Sequence, residues 1–179
     1  MTSRRKVFVA LLSAVAVVAV LGAAVAFADT VSVVINGDNL SMTTGGDQSL
    51  APVTLNGADQ TTGGDLGLYG VSDARGTGAG WNVVIAATDF TKQGDPSKSI
   101  SASGFQVTPA PSVTTVAGNT APSSSAGGLA GGGSKVLSAA VGAGMGTYQA
   151  TPAVTLDVPA ETYAGTYDST VTATVSSGP

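Results

Sequence analysis

The chain has 179 residues, of which 43% are hydrophobic and 10% are charged, and its formal net charge is −4. It contains no Cys and no His, which excludes disulfide scaffolds, zinc sites built on those residues, thiol nucleophiles and the commonest general base. After residue 6 the few Lys and Arg form no cluster, so the basic patch of a nucleic-acid-binding protein is absent.

The first 28 residues have the three parts of a secretory signal peptide. A basic start at residues 4–6 (Arg-Arg-Lys) is followed by an uncharged run over residues 7–25 and by Ala-Phe-Ala at 26–28, an A-x-A cleavage site. The run is also long enough to span a bilayer as a retained anchor. The polar residues after the A-x-A site favour cleavage, which predicts a mature protein that is secreted, has no membrane span and keeps a net charge of −7.

Residues 29–179 predict a single domain of short strands and turns. The chain has 25 Gly and 8 Pro, and its β-branched runs are separated by Gly, Asp, Asn and Pro clusters. The candidate strands cover residues 31–35, 53–55, 66–71, 81–88, 99–107, 136–141, 154–158 and 167–175. This pattern predicts an all-β fold, an antiparallel β-sandwich of immunoglobulin-like type that follows a cleaved N-terminal signal helix.

The last two candidate strands show the clearest alternation. Val171, Ala173 and Val175 point to one side and the intervening Thr residues to the other, because side chains alternate along a strand. Residues 154–158 alternate in the same manner. Each strand therefore has one buried face and one wet face, and we expect the two strands to share a sheet.

Two low-complexity features interrupt the strands. Residues 118–134 are rich in Gly and Ser, which predicts a flexible surface loop inside the domain. The sequence Thr-Thr-Gly-Gly-Asp occurs at residues 43–47 and again at 61–65. The two copies could be calcium-binding turns or similar hairpin turns, and the single carboxylate in each copy favours hairpin turns.

No constellation of residues predicts catalysis. Asp157, Glu161 and Asp168 are a nearby set of acids, and a glycosidase needs two carboxylates that flank its substrate, but the pattern favours exposed acids that confer solubility. We therefore expect no enzyme activity, no catalytic residue, no cofactor and no metal site.

Two segments carry a family resemblance. Residues 71–83 (Val-Ser-Asp-Ala-Arg-Gly-Thr-Gly-Ala-Gly-Trp-Asn-Val), with Phe90, and residues 167–179 (Tyr-Asp-Ser-Thr-Val-Thr-Ala-Thr-Val-Ser-Ser-Gly-Pro) resemble the proximal and distal motifs of the WxL domain, a surface domain of Gram-positive bacteria. The distal motif of that family reads Tyr-x-x-x-(Leu/Ile/Val)-Thr-Trp-x-Leu-x-x-x-Pro. Ala173 stands in place of its Trp, and Val replaces Leu at residues 83 and 175.

The resemblance implies a secreted β-rich domain that is held non-covalently on the cell wall through peptidoglycan, often beside a membrane-anchored partner surface protein. It makes the matched motif positions candidate wall-binding residues. They are Trp81, Val83, Tyr167, Val171, Thr172, Val175 and Pro179. Because the mature charge repels the anionic polymers of such walls, attachment requires short-range contacts or a protein partner.

Two alternatives remain open at the level of sequence. Trp81 shares a strand face with Val83 and Ile85, which favours a core residue, whereas an exposed Trp ring would be a platform for sugars. Residues 164–175 also look like the last strand of fimbrial and spore-coat-type domains. Those are structural subunits that assemble by adding a strand to a neighbour.

Overall fold

The computed structural model describes residues 30–179. Residues 30–34 belong to a separate N-terminal unit and contain no strand, whereas Ile35–Pro179 form one compact unit that holds all of the strands. The predicted signal peptide lies outside the described residues, and the boundary after Ala28 stays a prediction. Within residues 30–179, no helix is long and apolar enough to cross a membrane.

Between Thr30 and Pro179 the chain forms fifteen strands and one short 3-10 helix, Ala102–Gly104. The strands are β1 (Leu40–Thr43), β2 (Gln60–Asp65), β3 (Tyr69–Asp73), β4 (Trp81–Ala87), β5 (Phe90–Lys92), β6 (Ser99–Ile100), β7 (Phe105–Val107), β8 (Val113–Gly118), β9 (Ser123–Ser124), β10 (Gly127–Gly128), β11 (Ser134–Ala139), β12 (Gly146–Ala150), β13 (Ala153–Val158), β14 (Tyr167–Asp168) and β15 (Val171–Ser177).

All strand pairs are antiparallel, and they build four small sheets. The sheet orders are β1-β3-β12-β8, β10-β7-β13-β2, β15-β4-β11-β9 and β14-β5-β6. This confirms the predicted all-β sandwich. The strands are distributed over more sheets than the two that we expected.

The core consists of alternate residues from the central strands. Along β4 every second residue is buried, namely Trp81, Val83, Ile85 and Ala87, and the residues between them are half-buried. The same alternation runs through β3 and β13. Burial of side chains at this period of two is the main stabilising contribution, because apolar area leaves water on one face of each sheet.

The prediction that the last two alternating strands share a sheet was wrong. β13 lies between β7 and β2, whereas β15 pairs with β4 in a different sheet. Alternation reveals which face of a strand is buried, and it contains no information about the neighbouring strand. The alternation itself is confirmed, since Val171, Ala173 and Val175 are half-buried and the Thr residues between them are exposed.

Three further expectations about local structure were wrong. Residues 31–35 and 53–55 form no strand, because β-branched residues extend the chain but a strand needs a partner edge. Residues 99–107 are split into β6 and β7 by the 3-10 helix. The second Thr-Thr-Gly-Gly-Asp copy is part of strand β2, paired with β13, and it is not a hairpin turn.

The Gly/Ser-rich segment 118–134 is also more ordered than its composition predicts. It contains strands β9 and β10, and the Leu129 side chain is 0% exposed. The backbone of Leu129 connects two sheets, because its C=O accepts from Ala87 N at 2.7 Å and its N–H donates to Phe105 O at 2.8 Å. One buried Leu with two backbone hydrogen bonds therefore fixes a segment that was expected to be a flexible loop.

Leu129→Ala is expected to lower the free energy of unfolding by about 2–5 kcal/mol, the usual cost of removing a fully buried Leu side chain. Urea denaturation measures the change. Ser125→Ala, at an exposed position of the same segment, serves as the control and should stay within about 0.5 kcal/mol of wild type. Equal stabilities of the two variants would mean that the segment is a flexible loop after all.

Candidate functional site

The structure places the proximal and distal motifs side by side. β15 pairs with β4 along its whole length, with Val175 opposite Val83 and Ser177 opposite Trp81. Beyond the strand, Gly178 N donates to Gly80 O at 3.1 Å, and the Asn82 side-chain amide donates to Gly178 O at 2.8 Å. Two motifs that are far apart in sequence thus form one local unit.

A partly buried ion pair holds this unit together. The Asp73 side chain is 3% exposed, and it accepts hydrogen bonds from Arg75 Nε and Nη2, both at 2.8 Å. The same guanidinium donates from Nη2 to Gly80 O at 2.8 Å and from Nη1 to Ser177 Oγ at 2.5 Å. Arg75 therefore links the end of β3, the residue before β4 and the end of β15.

This pairing changes the acidity of the carboxyl group. The hydrogen bonds from the Arg75 side chain lower the pKa of Asp73 below its ordinary value, and they outweigh desolvation, which acts in the opposite direction. The pKa of Arg75 is raised by the same contact. Asp73 and Arg75 are thus a charged structural pair, and their donors and acceptors are already used within the domain.

Trp81 lies at the centre of the core. Its ring is 0% exposed and tilted against Tyr148 with 6.1 Å between ring centroids, and its Nε1–H donates to Gly144 O at 2.8 Å. Gly144 has a φ of +71°, and a Cβ there would lie 2.7 Å from Trp81 Nε1, so this turn requires glycine. Because no part of the ring is accessible, Trp81 is a core residue and offers no stacking surface to a sugar.

The other candidate wall-binding residues differ in exposure. Val83 is buried beside Trp81. Tyr167, Val171 and Val175 are half-buried, and Thr172 and Pro179 are exposed. The structure thus separates the predicted set into core residues and residues that an external ligand could reach.

A cleft of about 1190 Å³ lies next to the start of the distal motif. Tyr167 and Val171 line it, together with the chain segments 46–55 and 162–169. Its apolar lining includes Tyr69, Phe90, Ile100, Phe105, Leu156 and Val158. Sequence reasoning missed this cleft, since the pattern of residues 46–55 predicts only part of a turn and a short strand, and tertiary folding alone brings them beside the distal motif.

The charged lining of the cleft is entirely acidic. Asp47, Asp65 and Asp168 contribute carboxylates, and no Lys or Arg lines the cleft within the described chain. Asp65 Oδ1 accepts from Gly67 N at 2.8 Å, and Asp168 Oδ2 accepts from the Gln93 amide at 2.7 Å. A cation lies beside the cleft, since Lys98 Nζ is 4.4 Å from the centroid of the Tyr163 ring, and the three carboxylates outnumber it.

Acidic residues do not converge on one point in residues 30–179, and this includes the three that line the cleft. No group of three or more Asp or Glu there is arranged to hold a metal ion. Of the acids considered for glycoside hydrolysis, Asp168 lines the cleft, whereas Asp157 and Glu161 are not among its lining residues.

A comparison with protein families agrees with this arrangement. The family model of the WxL domain, a surface cell wall-binding domain, matches residues 37–179, which include both motifs and the whole cleft. The chain belongs to the WxL domain family. As a member it is a protein of the cell surface, located at the cell wall. No curated protein matches the chain.

In this WxL domain, Trp81→Ala is expected to lower the free energy of unfolding by about 3–5 kcal/mol, because it empties a fully buried aromatic site. Most domains have only about 5–15 kcal/mol of stability, so the thermal midpoint should fall sharply or the protein should not fold. A Trp81→Ala protein that keeps its wild-type stability but no longer sediments with cell walls would instead make Trp81 a binding residue.

The ion pair predicts a pH dependence of stability. Because the folded state lowers the pKa of Asp73, the pair stabilises the protein fully above the ordinary Asp pKa of about 3.9 and loses this contribution as the pH falls through the lower, folded-state pKa. The thermal midpoint of Asp73→Asn should therefore lie below that of wild type at neutral pH. The difference between the two thermal midpoints should shrink in acid. A difference that stays the same over the whole pH range would contradict this account.

Proposed function

We propose that the domain attaches non-covalently to peptidoglycan through the cleft beside the distal motif and that it catalyses no reaction. The observation that carries this proposal is the position of Tyr167 and Val171, which belong to the distal motif and line the cleft. Trp81 and Val83, the proximal counterparts, are buried and are not among the residues that line the cleft.

The chemistry of the cleft suits an uncharged polymer with attached peptides. Its apolar interior can contact the faces of sugar rings and aliphatic side chains, and the hydroxyl groups of Thr54, Thr162 and Thr166 line it as hydrogen-bonding groups. Leu55 and Tyr163 are 39% and 55% exposed, so both are available to a ligand. Such short-range contacts supply attachment that does not rely on net charge.

Electrostatics argues against anionic wall polymers as the ligand. The mature chain has a net charge of −7 if residues 1–28 are removed, and the carboxylates in the cleft add local repulsion. Repulsion between exposed charges is screened beyond about 8 Å at physiological salt, so it acts mainly at contact. Peptidoglycan itself is the wall component that the cleft accommodates with the least repulsion.

A membrane-anchored partner surface protein could instead hold the domain at the wall. Purified sacculi contain no such protein, so sedimentation with them separates the two modes of attachment. We expect the domain to sediment with sacculi in the absence of any partner, and sacculi stripped of anionic polymers should retain it equally well.

Leu55→Ala and Tyr163→Ala should each weaken sedimentation with sacculi several-fold, because both side chains line the cleft and are partly exposed. Leu68→Ala is the matched control, since Leu68 is 51% exposed and lies outside this cleft. All three variants should keep stabilities close to that of wild type. Unchanged binding of both cleft variants would rule out the cleft, and loss of binding only when a partner is withdrawn would favour partner-mediated attachment.

A further inference from the structure

Strand β15 is a terminal strand of its sheet, and strand β1 of another sheet packs near it without pairing. β15 pairs with β4 on one side and with no other strand in the described part of the chain. Natural edge strands are usually protected by charged side chains, Pro or a β-bulge. β15 contains none of these, and its register with β4 runs without a shift from Val171 to Ser177.

The hydrogen bonds at the two ends of β15 reveal which backbone groups face this open edge. Thr88 N donates to Thr170 O, and Gly178 N donates to Gly80 O, both at 3.1 Å. Both bonds continue the β4–β15 register, so the even-numbered residues of β15 bond to β4. The N–H and C=O groups of Val171, Ala173 and Val175 therefore point to the open edge.

The backbone hydrogen bonds on the other side of β4 agree with this assignment of even-numbered and odd-numbered residues. Ala87 N donates to Leu129 O at 2.7 Å, away from β15. The odd-numbered residues of β4 thus bond away from β15, and its even-numbered residues bond to β15.

The sequence along this edge is a palindrome. Residues 171–175 read Val-Thr-Ala-Thr-Val, which is the same in both directions. An antiparallel copy centred on Ala173 places Ala173 opposite Ala173 and Val171 opposite Val175. Each of these is a pair of odd-numbered residues, so the free N–H and C=O groups of both chains meet in the hydrogen-bonded positions of an antiparallel ladder.

The side chains also match in this register. Val171, Ala173 and Val175 are half-buried on the inner face, and each would gain an apolar neighbour from the second copy. On the outer face, Thr172 of one copy lies opposite Thr174 of the other, a pair of β-branched hydroxyl residues that suits adjacent strands. No charge is brought near a like charge, because residues 171–177 contain none.

We propose that β15 pairs with β15 of a second copy of this chain about a two-fold axis at Ala173, which joins the two β15-β4-β11-β9 sheets into one continuous sheet. The interaction is isologous, so it closes at two copies and does not propagate into a polymer. It differs in this respect from the open-ended strand addition of a fimbrial subunit. It does not depend on what the cleft binds.

The edge strand β8 provides an internal comparison. It is also a terminal strand of its sheet, and Val116 is 56% exposed. Its pairing with β12 is interrupted by a register shift at Thr147/Tyr148. Residues 113–116 also form a palindrome, Val-Thr-Thr-Val, but an antiparallel copy centred between Thr114 and Thr115 pairs odd-numbered with even-numbered residues, so the backbone groups at the two open edges do not meet. We therefore expect self-association at β15 and not at β8.

The absence of natural Cys allows a direct test of the register. In hydrogen-bonded antiparallel pairs the Cα atoms are about 5.5 Å apart, which is within the range of a disulfide. The exported chain with Ala173→Cys should form a disulfide-linked dimer under mild oxidation, whereas the Val116→Cys control should stay monomeric. Sedimentation velocity of the wild-type chain should show a reversible monomer–dimer equilibrium.

A pair of charge variants tests the register without a covalent bond. In the variant with Thr172→Lys and Thr174→Lys, like charges would face each other across the axis, so the protein should be monomeric. In the variant with Thr172→Lys and Thr174→Glu, opposite charges would face each other, so the dimer should persist. A wild-type chain that is monomeric at every concentration, equal association of the two charge variants, or cross-linking through residue 116 in place of residue 173 would each overturn the proposal.

Discussion

The burial of Trp81 is the constraint on which the rest of this domain depends. The indole fills the space between the sheets that contain β4 and β12, and its N–H can be buried because Gly144 O accepts it. That single hydrogen bond determines the path of the turn before β12, since only glycine leaves room for the ring at residue 144. The chain has few aromatic residues, and the contact between the Trp81 and Tyr148 rings fills the centre of its core.

The family motifs acquire a physical meaning from this arrangement. The stretch between β3 and β4 supplies Arg75, which satisfies the buried carboxylate of Asp73 and reaches Ser177 at the end of β15. The motif sequences therefore encode the pairing of two strands and the ion pair that closes their end. A buried charge that lost its partner would be costly, so removing either Asp73 or Arg75 alone is expected to destabilise the domain.

Local patterns predicted much of this architecture from sequence. The alternation in residues 81–85 and 171–175 identified buried and exposed faces correctly, because that property depends only on the chain's own period. Strand neighbours, the anchoring role of Leu129 and the cleft depend on contacts between distant segments, and no local pattern encodes them. For the site, the motifs identified Tyr167 and Val171, whereas exposed Leu55 and Tyr163 lie in segments with no signal of their own.

The pairing of β4 with β15 has a kinetic consequence. Asn82 and Gly178, which a side-chain hydrogen bond joins at the end of this ladder, are 96 residues apart in the chain, so the central sheet closes only after nearly the whole domain is available. Folding dominated by such distant contacts is slow, because the entropy of closing a long loop is lost before the contacts form. The core around Trp81 is therefore complete only when the residues of β15, close to position 179, are available to pair with β4.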